Sequence, residues 1–285
     1  MMPCTLSESQ TSREASPGNG GRCLAMSSHG VPFRLRAESS ILLDLMRQQA
    51  PFGSVECADL PPHARTFALE CSGSEQQYQV RIDDQVLVTH EELDSALIQL
   101  GGHMMIHVAE YAPDYVFLHA GAVAWQNRAL LLPGASHAGK STLVAELVRC
   151  GAAYYSDEFA LLDSRGFLHP FARELRMRRP GSQEQTAILL EQLNGRCGTH
   201  ALPVAMVVFA EYAKCAMWAP EAVTPGRAVL ELLLHAVPVQ RTPVRVVATF
   251  TAMMRGATAW RSQRGDAPDV ARSLLRALVQ GGAPA

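Results

Sequence analysis

The sequence predicts an α/β protein built around a phosphate-binding loop, preceded by a small α+β unit. Two observations carry the first part. Gly134-Ala-Ser-His-Ala-Gly139-Lys140-Ser141 has the form G-x-x-x-x-G-K-S, the spacing of a loop whose N–H groups cradle phosphates. An apolar run, Ala129-Leu-Leu-Leu-Pro133, leads into it, and a helix-like stretch, Thr142 to Cys150, leads out. A third observation carries the second part: over 31–112 short alternating segments replace the strand–helix rhythm seen beyond 113.

Residues 1 to about 30 are rich in Ser, Gly and polar side chains without apolar periodicity, and read as a disordered tail. Val31-Pro-Phe-Arg-Leu-Arg36 and Gln77-Tyr-Gln-Val-Arg-Ile82 alternate like strands. Asp83-Asp84 offers a turn before another short strand, Gln85 to Thr89. Thr89 with Glu92 fits a capping box opening a helix through Leu100.

From 113 the order changes. Tyr115 to Trp125 and Arg128 to Leu132 read as a hairpin turned by Gln126-Asn127, entering the glycine loop. Gly151 is a natural stop for the helix after that loop. Ala152 to Tyr155 and Phe159 to Leu162 read as strands flanking Ser156-Asp157-Glu158. Ser182 to Leu193 has an amphipathic helical pattern. Pro203 to Phe209 is apolar throughout, as a buried strand should be. Arg227 to Ala236 and Val244 to Met254 read as helices, and Ala257 to Gln263 as a strand. Asp266 stands where it can cap a last helix, with Pro268 in the first turn.

Composition narrows the function classes. Of the 285 residues 48% are hydrophobic and 18% charged, with a net charge of −2. That is ordinary for a globular protein and gives no support to nucleic-acid binding. No stretch reaches the roughly 18 apolar residues of a membrane span, and residues 1–20 lack the pattern of a signal peptide. A cytoplasmic protein that binds no membrane is the expectation. The seven cysteines form no C-x-x-C pair, so neither a metal spacing nor a disulfide framework is readable.

The candidate chemistry clusters around the loop. Gly134, Ala135, Ser136, His137, Ala138, Gly139, Lys140, Ser141 and Thr142 are the expected phosphate contacts, helped by roughly half a positive charge at the helix N-terminus. Lys140 is placed to reach the outer phosphates and Ser141 to ligate Mg²⁺. Asp157 and Glu158 come directly after the next strand, so a parallel sheet would bring them beside the loop. One would serve the metal and the other accept a proton from an attacking hydroxyl. His119 lies on the strand before the loop strand, within reach of a phosphate. The run Arg173-Glu-Leu-Arg176-Met-Arg178-Arg179 offers guanidinium groups that can clamp phosphates.

Taken together, F-L-His119-A-G-A-V, the glycine loop, a helix ending at Gly151, and Y-S-Asp157-Glu158-F-A-L-L resemble the HPr kinase/phosphorylase family, specifically a kinase-related branch with a different N-terminal domain. The resemblance covers about 113 to 280. It implies a fold akin to the HPr kinase C-terminal domain and phosphoenolpyruvate carboxykinase, and an ATP- and Mg²⁺-dependent serine kinase. By it, Asp157 is the general base, His119 faces phosphate, Lys140 and Ser141 serve triphosphate and metal, and Glu158 joins Ser141 at the metal. His137 stands where related loops often carry Gly, and Glu158 replaces the commoner second Asp. The acceptor would be a serine on a protein or peptide whose identity the motif leaves open, and a homo-oligomer is compatible with it. An ATP-binding regulator without phosphotransfer is the alternative reading.

Overall fold

A computed structural model describes residues 21–72, 77–135, 138–178 and 185–284. Among them the chain is mixed α/β, with three sheets and six α-helices.

The first sheet has six strands. They are β1 (Arg22–Ser28), β2 (Val31–Ala37), β3 (Val55–Glu56), β4 (Arg65–Ser72), β5 (Gln77–Ile82) and β6 (Gln85–His90), in the order β3-β1-β2-β4-β5-β6. Only β2 and β4 run parallel. The connection between them carries α1 (Ser40–Gln48), whose first turn is capped by the Ser39 hydroxyl accepting from Leu42 N–H at 3.2 Å. Along β2, Val31, Phe33, Leu35 and Ala37 are buried in strict alternation, so one face meets the core. The helix α2 (Leu93–Tyr111) covers that face through Leu97, Leu100, Met104 and Val108. The same core takes in Phe117, Phe159, Leu161 and Phe171 from later in the chain. The N-terminal unit is therefore fused to the second half of the molecule by a shared apolar interior, not joined to it by a linker at 112.

The second sheet holds β7 (Tyr115–Trp125), β8 (Arg128–Pro133), β9 (Ala153–Ser156), β10 (Phe159–Asp163), β11 (Phe167–His169), β14 (Leu202–Tyr212), β15 (Glu221–Val223) and β16 (Thr258–Arg264). Its order is β11-β10-β7-β8-β14-β16-β15, with β9 beside β7 and β11 also touching β14. The short β12 (Leu175–Arg178) and β13 (Gln185–Ile188) pair separately. β8, β14 and β16 run parallel. Helices cover both faces. On one side α3 (Lys140–Arg149) and α6 (Ala267–Gln280) pack Leu143, Val144 and Leu274 against Leu130, Leu132 and Val208. On the other, α4 (Pro225–Leu233) and α5 (Pro243–Met254) pack Leu232 and Phe250 against Leu131, Val207 and Ala259. Burial on both faces explains why β8 and the middle of β14 are apolar without alternation. No helix among the described residues is long and apolar enough to cross a membrane, and the six described cysteines are free thiols.

The expected β7–β8 hairpin is present, with Gln126 and Asn127 at φ 48 and 61, the two positive values that a right-twisted two-residue turn demands. The expected stop at Gly151 is a Schellman motif: its N–H donates to Val148 O at 2.8 Å, and Ala152 N–H donates to Leu147 O at 3.0 Å.

Three expectations are corrected. The tail expected over 1–30 contains β1 from Arg22; residues 1–20 lie outside the described ones. Pairing with β2 holds it, and Met26 and Ser28 are buried although the composition is polar. Thr89 does not open a helix: the β5 ladder continues through Tyr78 and His90, and α2 begins at Leu93 behind Glu92, without a side-chain cap. The helix expected over 182–193 is instead β13, laddered to β12 from Arg178↔Gln185 to Leu175↔Ile188, and a 3-10 turn at Leu190–Leu193; residues 182–184 lie outside the described ones.

Two glycines give opposite expectations. Gly166 turns β10 into β11 at φ +81, and a Cβ there would lie 2.6 Å from Met253 backbone atoms of α5. Gly166→Ala should cost about 2 kcal/mol. Gly102, within α2, has open space around its Cβ position, so Gly102→Ala should gain about 0.5–1 kcal/mol. Urea unfolding checks both; shifts of the same sign would contradict this packing.

Candidate functional site

β8 delivers the chain to Gly134 and α3 begins at Lys140. The described part of the expected loop therefore has the strand–loop–helix setting its sequence asked for. Ser136 and His137 lie outside the described residues. Gly139 is the N-cap of α3, at φ 78 and ψ 19, a left-handed conformation that favours glycine. A Cβ there would also meet Arg264 Nη2 at 2.6 Å.

Lys140 is 8% exposed. Its ammonium donates to the carbonyls of Gly134 and Ala135, both at 2.7 Å. Burial lowers its pKa to about 8, against the pull of Asp157 and Glu158. Ala138 N–H donates back to Ala135 O at 3.3 Å, so the loop closes on itself around the lysine.

β9 runs antiparallel to β7, as β8 does, so β9 and β8 point the same way and end on the same side. Asp157 is the first residue beyond β9 there. The Ser156 hydroxyl fixes the turn by accepting from Glu158 N–H at 3.3 Å and Phe159 N–H at 3.0 Å. Asp157 Oδ2 accepts from the Ser141 hydroxyl at 3.0 Å, and Oδ1 accepts from the Tyr154 phenol at 2.9 Å. Burial raises the Asp157 pKa; the Tyr154 and Ser141 hydrogen bonds oppose that rise. The Ser141 hydroxyl thus turns to Asp157. Glu158 turns to Arg173, whose Nη1 donates to Oε2 at 2.8 Å. The surrounding walls raise the Glu158 pKa, and Arg173 opposes them.

His119 sits on β7 opposite Phe159, ring centroids 5.8 Å apart. Its backbone N–H donates to His235 O at 2.8 Å. Burial, and then the charges of Lys140 and His235, lower its pKa to about 4, so at neutral pH it is an uncharged imidazole. His119, Lys140, Ser141, Thr142, Asp157, Glu158, Arg173 and Arg176 all line one cavity of about 1350 Å³. Gly139 lines it as well, whereas Gly134, Ala135 and Ala138 form the part of the loop behind. The side chain of Arg178 and all of Arg179 lie outside the described residues.

The opposite wall was not foreseen. It comes from the end of α1 and the turn after it, through Gln49 and Phe52, and from α2, through Ile98, Gly102, His103 and Ile106. The accessory unit, in which the sequence showed no chemistry, builds half of the cleft. Two further residues escaped sequence reasoning because only the parallel pairing of β14 and β16 brings them to the loop. Tyr212 N–H donates to Ala138 O at 3.3 Å, and Arg264 Nη2 donates to Gly139 O at 2.6 Å.

The donor set fits Mg²⁺ held together with phosphates. A hydroxyl and a carboxylate oxygen are hard ligands, and Mg²⁺ takes one or two such protein groups and completes its shell with water and phosphate. Among the described residues no group of three or more His, Cys, Asp or Glu is arranged to cage a metal. The cavity exceeds the ~300–1,000 Å³ usual for one small ligand. Neither a protein-family model nor a curated protein matches this sequence.

The chain has only two lysines, Lys140 and Lys214, so Lys214→Arg leaves the loop amine as the sole lysine. In ¹⁵N-lysine-labelled Lys214→Arg, the side-chain resonance should titrate near pH 8. Below that pH the ammonium is charged and attracts anions; above it the attraction fades. A midpoint near the ordinary 10.5 would contradict the buried placement.

Proposed function

We propose that this protein is an ATP- and Mg²⁺-dependent kinase with a P-loop core of the HPr kinase-like kind, transferring a phosphoryl group to a serine hydroxyl on a protein or peptide acceptor. The observation that carries the reading is the convergence of Lys140, the Ser141–Asp157 pair and Glu158 on one cavity, beside the N-terminus of α3. Mg·ATP would supply the transferable phosphoryl group. The chain's part is to hold and to move a proton. Backbone N–H groups at the start of α3 and the Lys140 ammonium bind phosphate oxygens. Ser141 and Asp157 present oxygens to the metal, the pairing that P-loop enzymes use.

The geometry favours dividing the carboxylates in the order opposite to the one the resemblance implies. Asp157 is occupied by Ser141 and Tyr154, whereas Glu158 faces the cavity and is held by one arginine. Both carboxyl pKa values are raised, so the hydrogen bonds decide: Asp157 is taken up by two hydroxyl donors, whereas Glu158 has one movable arginine, so Glu158 takes the acceptor hydroxyl's proton. Arg173 releases Glu158 as it turns to phosphate charge. Neutral His119 orients a phosphate or hydroxyl oxygen by one hydrogen bond.

The test uses [γ-³²P]ATP with a cell extract as the source of acceptors, beside calorimetric Mg·ATP binding. Lys140→Met should abolish binding. Glu158→Gln should keep binding within a few-fold and lose at least about 10²-fold in transfer. Asp157→Asn should weaken binding in Mg²⁺ more than in its absence. Undiminished transfer by Glu158→Gln would overturn its role as base, and binding untouched by Lys140→Met would overturn the nucleotide site.

A further inference from the structure

Arg264 is 2% exposed at the carboxyl end of β16. No ion pair within 4 Å joins it to a carboxylate among the described residues, and its buried Nε has no hydrogen-bond partner. Nη1 donates to Gly265 O at 2.9 Å and Nη2 to Gly139 O at 2.6 Å. The guanidinium lies 5.5 Å from the centre of the Tyr212 ring. A buried cation whose carboxylate, Asp266, acts on it only from beyond ion-pair distance is expensive, and nothing about folding β16 requires an arginine at its end.

Its position supplies a reason. In a trans peptide the C=O and the next N–H point in opposite directions. The Gly139 carbonyl accepts from Leu143 N–H at 3.2 Å and from Arg264 Nη2 at 2.6 Å, and these two donors together turn the Lys140 N–H the other way. Tying the Ala138 carbonyl to Tyr212 N–H does the same for the Gly139 N–H. Gly139 and Lys140 both line the cavity, whereas Arg264 does not. The arginine stands behind the loop.

We infer that Arg264 is a positioning residue for nucleotide phosphates: through the Gly139 carbonyl it aims the Lys140 backbone N–H at the anion site. This rests on the nucleotide reading above. It predicts that α3 offers a pre-set donor at its first turn, where the Leu143 hydrogen bond alone would hold the left-handed glycine's peptide less firmly.

The experiment measures Mg·ADP binding by calorimetry and, in ¹⁵N-lysine-labelled protein, the Lys140 backbone amide. In the wild type, Mg·ADP should move the Lys140 amide downfield. Arg264→Met keeps bulk but donates nothing. It should weaken binding about tenfold or more, the cost of a lost charge-assisted hydrogen bond, and shrink the Lys140 shift, with circular dichroism unchanged. Arg264→Lys can reach one carbonyl and should recover part of the affinity. Wild-type affinity and shift in Arg264→Met would overturn the inference. Should that variant fail to fold, Arg264→Lys decides alone: a few-fold loss supports the inference and wild-type affinity overturns it. Mg·ADP binding by wild type that survives Lys140→Met would instead refute the nucleotide site itself.

Discussion

The interaction on which the site depends is the buried ammonium of Lys140 seated on the carbonyls of Gly134 and Ala135. A cation at this depth is tolerated only if its protons are taken up and opposite charge lies nearby. The loop carbonyls take up protons, and Asp157 and Glu158 supply the field. Burial outweighs that field, and the Lys140 pKa is lowered. A site in this condition gains from an anion, and the start of α3 adds N–H groups aimed at the same place.

The sheet explains why so many contributors meet there. β8, β9, β14 and β16 share a direction, so their carboxyl ends supply the loop, Asp157, Tyr212 and Arg264 at one edge. β7 runs the other way, which brings His119 to the same level from the middle of a strand. Each group is held from behind: Asp157 by Tyr154, the Asp157–Glu158 turn by Ser156, and the loop by Tyr212 and Arg264. The N-terminal unit completes the cleft because α2 shares its apolar interior with β7 and β10. Gly101 helps to set that wall, since a Cβ there would press on the Gln49 carbonyl at 3.2 Å.

The sequence made the local parts legible. The strand and helix flanking the glycine loop, the β7–β8 hairpin and the stop at Gly151 are short-range patterns, and the chain adopts them. His119, Lys140, Ser141, Asp157 and Glu158 were also readable as one cluster, because alternating strands and helices imply where strand ends gather. What failed was whatever tertiary pairing decides. β1 looks polar until β2 supplies its ladder. The amphipathic pattern at 182–193 gives way to a hairpin with β12. The division between Asp157 and Glu158 is likewise invisible in adjacent residues: only the fixed turn at Ser156 sends one to the loop and the other to Arg173. Arg264, 125 residues from the carbonyl it holds, carries no motif at all.

The central claim is that this cavity holds a nucleoside triphosphate with its outer phosphates at the start of α3. The most direct measurement is a crystal structure of the protein grown with Mg²⁺ and a non-hydrolysable ATP analogue. The account predicts phosphate oxygens on the N–H groups of Gly139 and Lys140, the Lys140 ammonium moved from the loop carbonyls to phosphate, and Mg²⁺ on the Ser141 hydroxyl beside Asp157. An analogue bound elsewhere, or phosphates that leave Lys140 on Gly134 and Ala135, would contradict it.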